Sequence, residues 1–200
     1  LTQAGANTVI LTGNNTYSGV TTINAGGAVQ VGNGGTTGTL GTANVVNNGA
    51  LAFNRSNTIT VSNVISGSGA LGQSGAGTAI LTGANTYSGL TTINTGTLQV
   101  GNGGTTGTLG TGNVVDNGTL TFNRSNAITV NNIISGTGAL TQAGTGTTTL
   151  SGANTYAGAT NVNAGTLSIS HASALGSTAA GTTVANGAAL ELQGGITVGA

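Results

Sequence analysis

The sequence predicts an all-β chain that coils as a parallel β-solenoid, about eight rungs of roughly 20–28 residues each. Three observations predict it. The stretch LTGANTYSGLTTINTGTLQVGNGG, from Leu81 to Gly104, has counterparts beginning at Leu11 and Leu150. Short runs of alternating apolar and polar residues follow glycines all along the chain. The composition holds 39 glycines in 200 residues, with no proline or cysteine and only three Tyr and two Phe. That leaves little from which to build a large globular core.

The long stretch sets the organisation. Leu11 to Leu81 is 70 residues and Leu81 to Leu150 is 69, the difference lying where Gly26-Gly27 of the first copy matches Gly96 alone in the second. The chain therefore reads as one solenoid segment, 1–200, built from tandem copies 1–70, 71–139 and a truncated 140–200.

A rung must be shorter than a copy. The glycine-led runs place leading apolar residues at Leu1, Val29, Leu51, Leu71, Leu98, Leu120, Leu140, Leu167 and Leu190. Their steps are 28, 22 and 20, then 27, 22 and 20, then 27 and 23, which makes three rungs to a copy. Side chains alternate across a strand, so Leu120 and Phe122 are expected inside and Thr119 and Thr121 outside. By the same rule Leu98 and Val100, Leu167 and Ile169, and Leu190 and Leu192 face inward. Each run starts near a glycine: Gly27, Gly49, Gly69, Gly96, Gly118, Gly138, Gly165 or Gly187. Several follow asparagine, as in Asn48-Gly49, Asn117-Gly118 and Asn186-Gly187, and are expected to turn the corner at positive φ. Each rung has room for further short strands, such as TAILT from Thr78, LTTIN from Leu90 and AITV from Ala127.

Composition then narrows function. So much Gly, Ser, Thr and Asn with so few aromatics can mark disorder. Here the net charge is zero and the apolar residues keep register. Each rung adds a few Leu, Ile or Val to a shared column, and each burial is worth about 1.5–3 kcal/mol. Without cysteine there is no disulfide framework and no thiolate metal site. Two arginines and no lysine give no electrostatic footprint for nucleic acid or an anionic membrane. No apolar run approaches the ~20 residues of a membrane span. No basic-then-apolar signal segment opens the chain. Because Leu1 opens directly on a strand, the chain reads as an interior segment of a longer protein.

The stretch LTGANTYSGLTTINTGTLQVG closely resembles the passenger-associated repeat of bacterial autotransporters, the adhesins and other large secreted proteins of the type V pathway. It recurs three times and, with the intervening rungs, covers nearly the whole chain. The resemblance implies a right-handed, single-stranded parallel β-helix. It also implies export across the outer membrane, display outside the cell on a C-terminal β-barrel, and a role in adhesion, aggregation or spacing of a tip domain.

Candidate sites are few. His171, the only histidine, follows the strand TLSIS and is expected in solvent, without the further ligands a metal site needs. Asp116 and Glu191 are the only carboxylates; four rungs at ~4.8 Å would separate them by roughly 19 Å, beyond the reach of a glycosidase pair. Asp116 stands where the first copy has Asn47, which favours a turn role. Arg55 and Arg124 lie in identical NRSN segments, expected as solvated loops about 14 Å apart that could together meet an acidic glycan. Tyr17, Tyr87 and Tyr156 recur in NTYSG or NTYAG, where covering a rung corner competes with stacking on a sugar. The GNGG segments at Gly32 and Gly101 precede no helix, so they are not phosphate loops. A calcium-binding nonapeptide repeat needs many aspartates, and there is one. The outward residues after each leading apolar position run Thr2, Gln30, Ala52, Gly72, Gln99, Thr121, Thr141, Ser168 and Glu191, too irregular for an ice-binding ladder.

The expectation is therefore an extracellular structural or adhesive β-helix segment, a stalk or a self-association surface, with no catalytic residue, cofactor or metal ligand. Self-association end to end or laterally is the expected interaction, with a surface glycan or a host or neighbouring cell as a further partner. The alternatives are a carbohydrate-binding face of Asn, Thr and Tyr and, as a minor one, an ice-binding Thr-rich solenoid.

Overall fold

The computed structural model describes residues 1–198. Among them every regular element is a strand of two to four residues, and every strand pairing is parallel. The strands are short because glycine and asparagine bound each β-branched run, and parallel because the chain must go round once before it meets itself again. Paired residues stand 19 residues apart at the closest, as Ala79 and Leu98, and 24 at the widest, as Thr21 and Val45. The result is a β-solenoid of about 10 turns.

The β-solenoid follows the sequence reading, but the count of about eight rungs and the 27- and 28-residue steps do not. Leu71 pairs with Thr91, not with Leu98, and Leu98 pairs with Ala79 and Leu120. The long steps are one turn of about 20 residues plus a move of seven or eight residues to the next side. The glycine-led runs look alike because the copy repeats, whereas they stack by position around the coil.

The coil has three faces. The second carries seven strands from Thr8–Leu11 to Ile134–Ser135, and the third carries seven from Ile59–Val61 to Thr182–Val184. The first face is interrupted. Four strands from Thr2–Gln3 to Ile65–Ser66 are followed by two passes without strand, at residues 85–87 and 108–111, before four more run from Ile128–Val130 to Ala189–Leu192. Equivalent strands of successive copies fall on successive faces: Thr21–Ile23 on the first, Thr91–Ile93 on the second, Thr160–Val162 on the third. One copy is thus about three and one third turns, not three rungs.

The core is a set of columns running through the stack. On the second face Val29, Leu51 and Leu71 align, and on the third Leu98, Leu120 and Leu140 do, all at most 1% exposed. Phe53 and Phe122 are among the largest side chains fully buried there. The inward assignments hold for Leu98, Val100, Leu120, Phe122, Leu167 and Ile169. They fail for Leu190, half-buried, and Leu192, 47% exposed, since no further turn covers them among the described residues. Thr121, expected outside, is largely covered. Gln73 and Gln142 also point inward. Each ends a strand and donates Nε2 to two carbonyls of the next corner, Gly75 and Gly77 at 2.8 and 3.0 Å, or Gly144 and Gly146 at 2.7 and 3.1 Å.

The corner glycines follow the expectation only in part. Gly187, after Asn186, is at positive φ, as are Gly96 and Gly165, but Gly49 and Gly118 are not, and among the described residues none other than glycine is. Gly118 is required because a Cβ there would sit 2.6 Å from the Gly96 carbonyl oxygen and 3.0 Å from Ile93 Cγ2 of the preceding turn. Close stacking, not handedness, excludes a side chain.

Candidate functional site

Arg55 and Arg124 are not in solvated loops. Each is 8% exposed and clamps a glycine loop of the turn before. The Arg55 guanidinium donates Nε to Asn57 Oδ1 at 3.0 Å, Nη1 to the Gly38 carbonyl at 2.6 Å, and Nη2 to the Thr36 carbonyl. Arg124 repeats this with Asn126 Oδ1 at 3.0 Å and the carbonyls of Gly107 and Thr105. Burial lowers the Arg124 pKa from its ordinary value. The loop turns in on the clamp: a Cβ at Gly32 would meet the Asn54 oxygen at 2.5 Å and Arg55 Cγ at 2.6 Å. The third copy has SHAS in place of the GNGG loop and Gln193-Gly194-Gly195 in place of NRSN, so loop and clamp are lost together. Arg55 follows a second-face strand and Arg124 a third-face strand, so they do not form one anion-binding pair.

Asp116 is fully buried, and its surroundings are those of an amide. In the first copy Asn47 Oδ1 accepts from the Gly49 amide at 3.2 Å while Nδ2 donates to the Ala70 carbonyl at 2.8 Å. Asp116 Oδ1 keeps the first bond, from the Gly118 amide at 3.0 Å. Its Oδ2 has no partner. Burial pushes its pKa up to about 6, with the Gly118 and Leu120 amides pulling the other way. Glu191 points outward from a first-face strand, exposed, so the two carboxylates are not brought together.

The NTY signature is an internal corner. Asn85 Oδ1 accepts from the Ile65 amide at 2.8 Å, one turn back, while its Nδ2 donates to the Thr108 carbonyl at 2.8 Å, one turn on. Asn154 does the same between Ile134 and Ala174. One carboxamide thereby replaces the ladder bonds that a strand would have supplied. The rings of Tyr87 and Tyr156 lie inside, fully buried, with hydroxyls bonded to Thr91 at 2.8 Å and Thr160 at 2.6 Å. Burial raises the pKa of both, to about 12 for Tyr156. Tyr17 is half-buried and bonds Thr21 at 2.8 Å. Neither of the buried rings is free to stack on a sugar. His171 is half-exposed, its Nδ1 accepting from the Ser173 amide at 3.0 Å.

The outward ladder read from the sequence divides among the faces. On the third face the true column is Thr60, Ile80, Gln99, Thr121, Thr141, Asn161 and Thr183, which no continuous threonine row occupies. Grooves open on the surface instead: one of about 390 Å³ lies between residues 172–182 and Val198, and two others form a repeated pair. One of that pair, of about 290 Å³, lies between residues 108–111 and the strand Ile128–Val130. The other, of about 260 Å³, lies between residues 39–42 and Ile59–Val61, built from the equivalent positions of the first copy. Sequence reading missed both, because they form where a strand meets a pass that carries no strand.

Comparison with known proteins points one way. The family model described as the passenger-associated-transport-repeat matches residues 1–31, 71–100 and 140–169. A curated relative, the adhesin BmaC autotransporter of Brucella suis biovar 1 (strain 1330), is 44% identical over 62 residues. That match takes in 31% of this chain and 2% of the relative's length. No solved structure matches.

Proposed function

We propose that this chain, which carries three passenger-associated transport repeats of the autotransporter type, is a shaft segment of an extracellular passenger on a bacterial surface. The observation that carries this reading is where the chemistry went. Both arginines, Asp116, Tyr87 and Tyr156 are spent inside the coil on loop clamps and corners, and Glu191 is the one charged side chain left exposed. Ten turns at ~4.8 Å each give a rod of about 48 Å with a nearly uncharged surface and, among the described residues, no assembled reactive group. The adhesin relative supports placing such a rod in a surface passenger. The test replaces this segment, within its parent passenger, by an unrelated β-helix of equal turn number. A shaft leaves adhesion unchanged; loss of adhesion shows that the segment itself makes the contact.

Self-association is the companion reading, and the nearly charge-free surface favours it, because little repulsion keeps two rods apart. Sedimentation velocity across a wide concentration range checks it. Growth beyond the monomer is the expected result, and a single monomer at the highest concentration removes the reading.

A further inference from the structure

The two paired grooves share an arrangement that the shaft role does not use. Ile59–Val61 begins the sheet on the third face, and Ile128–Val130 restarts the first face after its interruption, so each strand pairs on one side only. On that side the Val61 carbonyl accepts from the Thr82 amide at 3.0 Å, and the Val130 carbonyl from the Ser151 amide at 3.1 Å. Successive residues of a strand aim their N–H and C=O to opposite sides. Those of Thr60 and Thr129 therefore face the grooves. Neither residue joins the backbone bonds that tie the adjacent pass, residues 39–42 or 108–111, to the rest of the coil.

The groove walls narrow the choice of occupant. No charged side chain lines either one. Two of the three asparagine amides of the groove beside Ile128–Val130 are committed, Asn132 Nδ2 to the carbonyls of Gly110 and Gly112 at 2.9 and 2.5 Å and Asn85 Nδ2 to Thr108, while Asn131 is bonded only through Oδ1, by Ser151 at 2.6 Å. Asn63 and Asn15 are committed in the same way in the first copy. A sugar reader commonly sets an open aromatic face beside its side-chain donors; these walls keep donors on Asn131, Thr111, Thr129 and Ser62 but open no aromatic ring, Phe122 being fully buried. What they offer is one backbone donor and one backbone acceptor on the same residue, above apolar side chains such as Val100, Leu109 and Val130. That is the edge of a parallel sheet.

We propose that each groove takes a short, extended, uncharged polypeptide segment as an added parallel strand, held by the main chain of Thr60 or Thr129. Its side chains alternate between the apolar wall and solvent. The same edge is built in both copies but on different faces, so one rod holds two such segments pointing to different sides.

The test uses the whole isotope-labelled chain and, as probe, the acetylated and amidated peptide GTLQVG, the sequence of Gly96 to Gly101. In the free protein the amides of Thr60 and Thr129 are expected to exchange with solvent quickly while those of Val61 and Val130 are protected. Adding the peptide is expected to shift the two threonine amides saturably and to slow their exchange at least tenfold. Thr129→Pro removes one donor at a sheet edge, where proline is tolerated. It should abolish the peptide-induced shifts of the neighbouring Leu109, Thr111 and Val130 amides, which the variant retains, and leave the response at Thr60. Protection of both threonines before peptide is added overturns the proposal, as does the absence of any shift. Saturable shifts with maltohexaose and none with the peptide overturn it in favour of a sugar groove. If Thr129→Pro unfolds the chain, the exchange of the Thr129 amide in the unaltered protein decides alone, and the absence of slowing by the peptide overturns the proposal.

Discussion

The Nη1 of Arg55 donates to the Gly38 carbonyl oxygen at 2.6 Å, seventeen residues back along the chain and one turn down the coil. A residue type usually found in water here fastens a glycine loop that has no strand to hold it. The flat guanidinium reaches Asn57, Gly38 and Thr36 at once. A lysine ammonium cannot reproduce that fork. Arg55→Lys and Arg124→Lys should each destabilise the chain by about 2 kcal/mol, read as a lower denaturant midpoint. Because both arginines are buried, trypsin should leave the native chain whole and cut it only as denaturant opens the coil. Rapid cleavage under native conditions would contradict the clamp.

Asp116 gives the chain a pH dependence. Its native pKa of about 6 lies above the ordinary 3.8, so the folded state holds the proton more tightly than the unfolded state. Stability is therefore greatest below pH 4, falls as pH rises from about 4 to about 6, and is level above that. The total change is on the order of 3 kcal/mol. Tyr156, on which the Asp116 charge acts, stays neutral throughout this range. Asp116→Asn should restore the amide bond made by Asn47, raise the melting temperature at pH 7 and abolish the slope. Thermal melts between pH 3 and 8 for both proteins decide it, and equal slopes would refute the assignment.

Gly118→Ala should destabilise by more than 1 kcal/mol through contact with the Gly96 carbonyl, although the backbone at Gly118 is ordinary. Gly5→Ala, where a Cβ meets nothing within 4 Å, is the control and should change little. Equal melting temperatures for the two variants would mean the turns are spaced more widely than described.

Asn85→Ala removes both bonds of the corner and leaves the Ile65 amide and the Thr108 carbonyl without partners. The expected cost is about 2–4 kcal/mol. Hydrogen exchange should show the loss first at Ile65, whose amide the carboxamide covers. Unchanged protection at Ile65 would show that the carboxamide is dispensable.

The fold was legible because alternation and glycine spacing are local properties of the chain. Leu98, Leu120 and Phe122 could be placed inside from their neighbours alone. The turn count was not legible, since Leu71 and Leu98 occupy similar sequence contexts yet stand on different faces. Only the pairing of Leu71 with Thr91 separates the period of the sequence from the period of the coil. The arginines were misplaced for a related reason. Nothing near Arg55 in sequence shows that the carbonyls of Thr36 and Gly38 come within reach. A hint did exist in the third copy, where the GNGG loop and the NRSN segment disappear together. Asp116 carried one too, since its counterpart is an asparagine. Its unsatisfied oxygen became visible only with Gly118 and the next turn in place.

The advance of each copy by a third of a turn makes the number of copies a matter of direction as well as reach. In an array of such copies, any mark borne once per copy winds around the rod like the stripe on a barber's pole. It returns to the same heading after three copies and about ten turns, roughly 48 Å along the axis. A flat partner beside the rod would read one copy in three, whereas a partner that wraps it could read them all. Inserting one copy would swing everything beyond it by about 120°, while inserting three would only lengthen the rod.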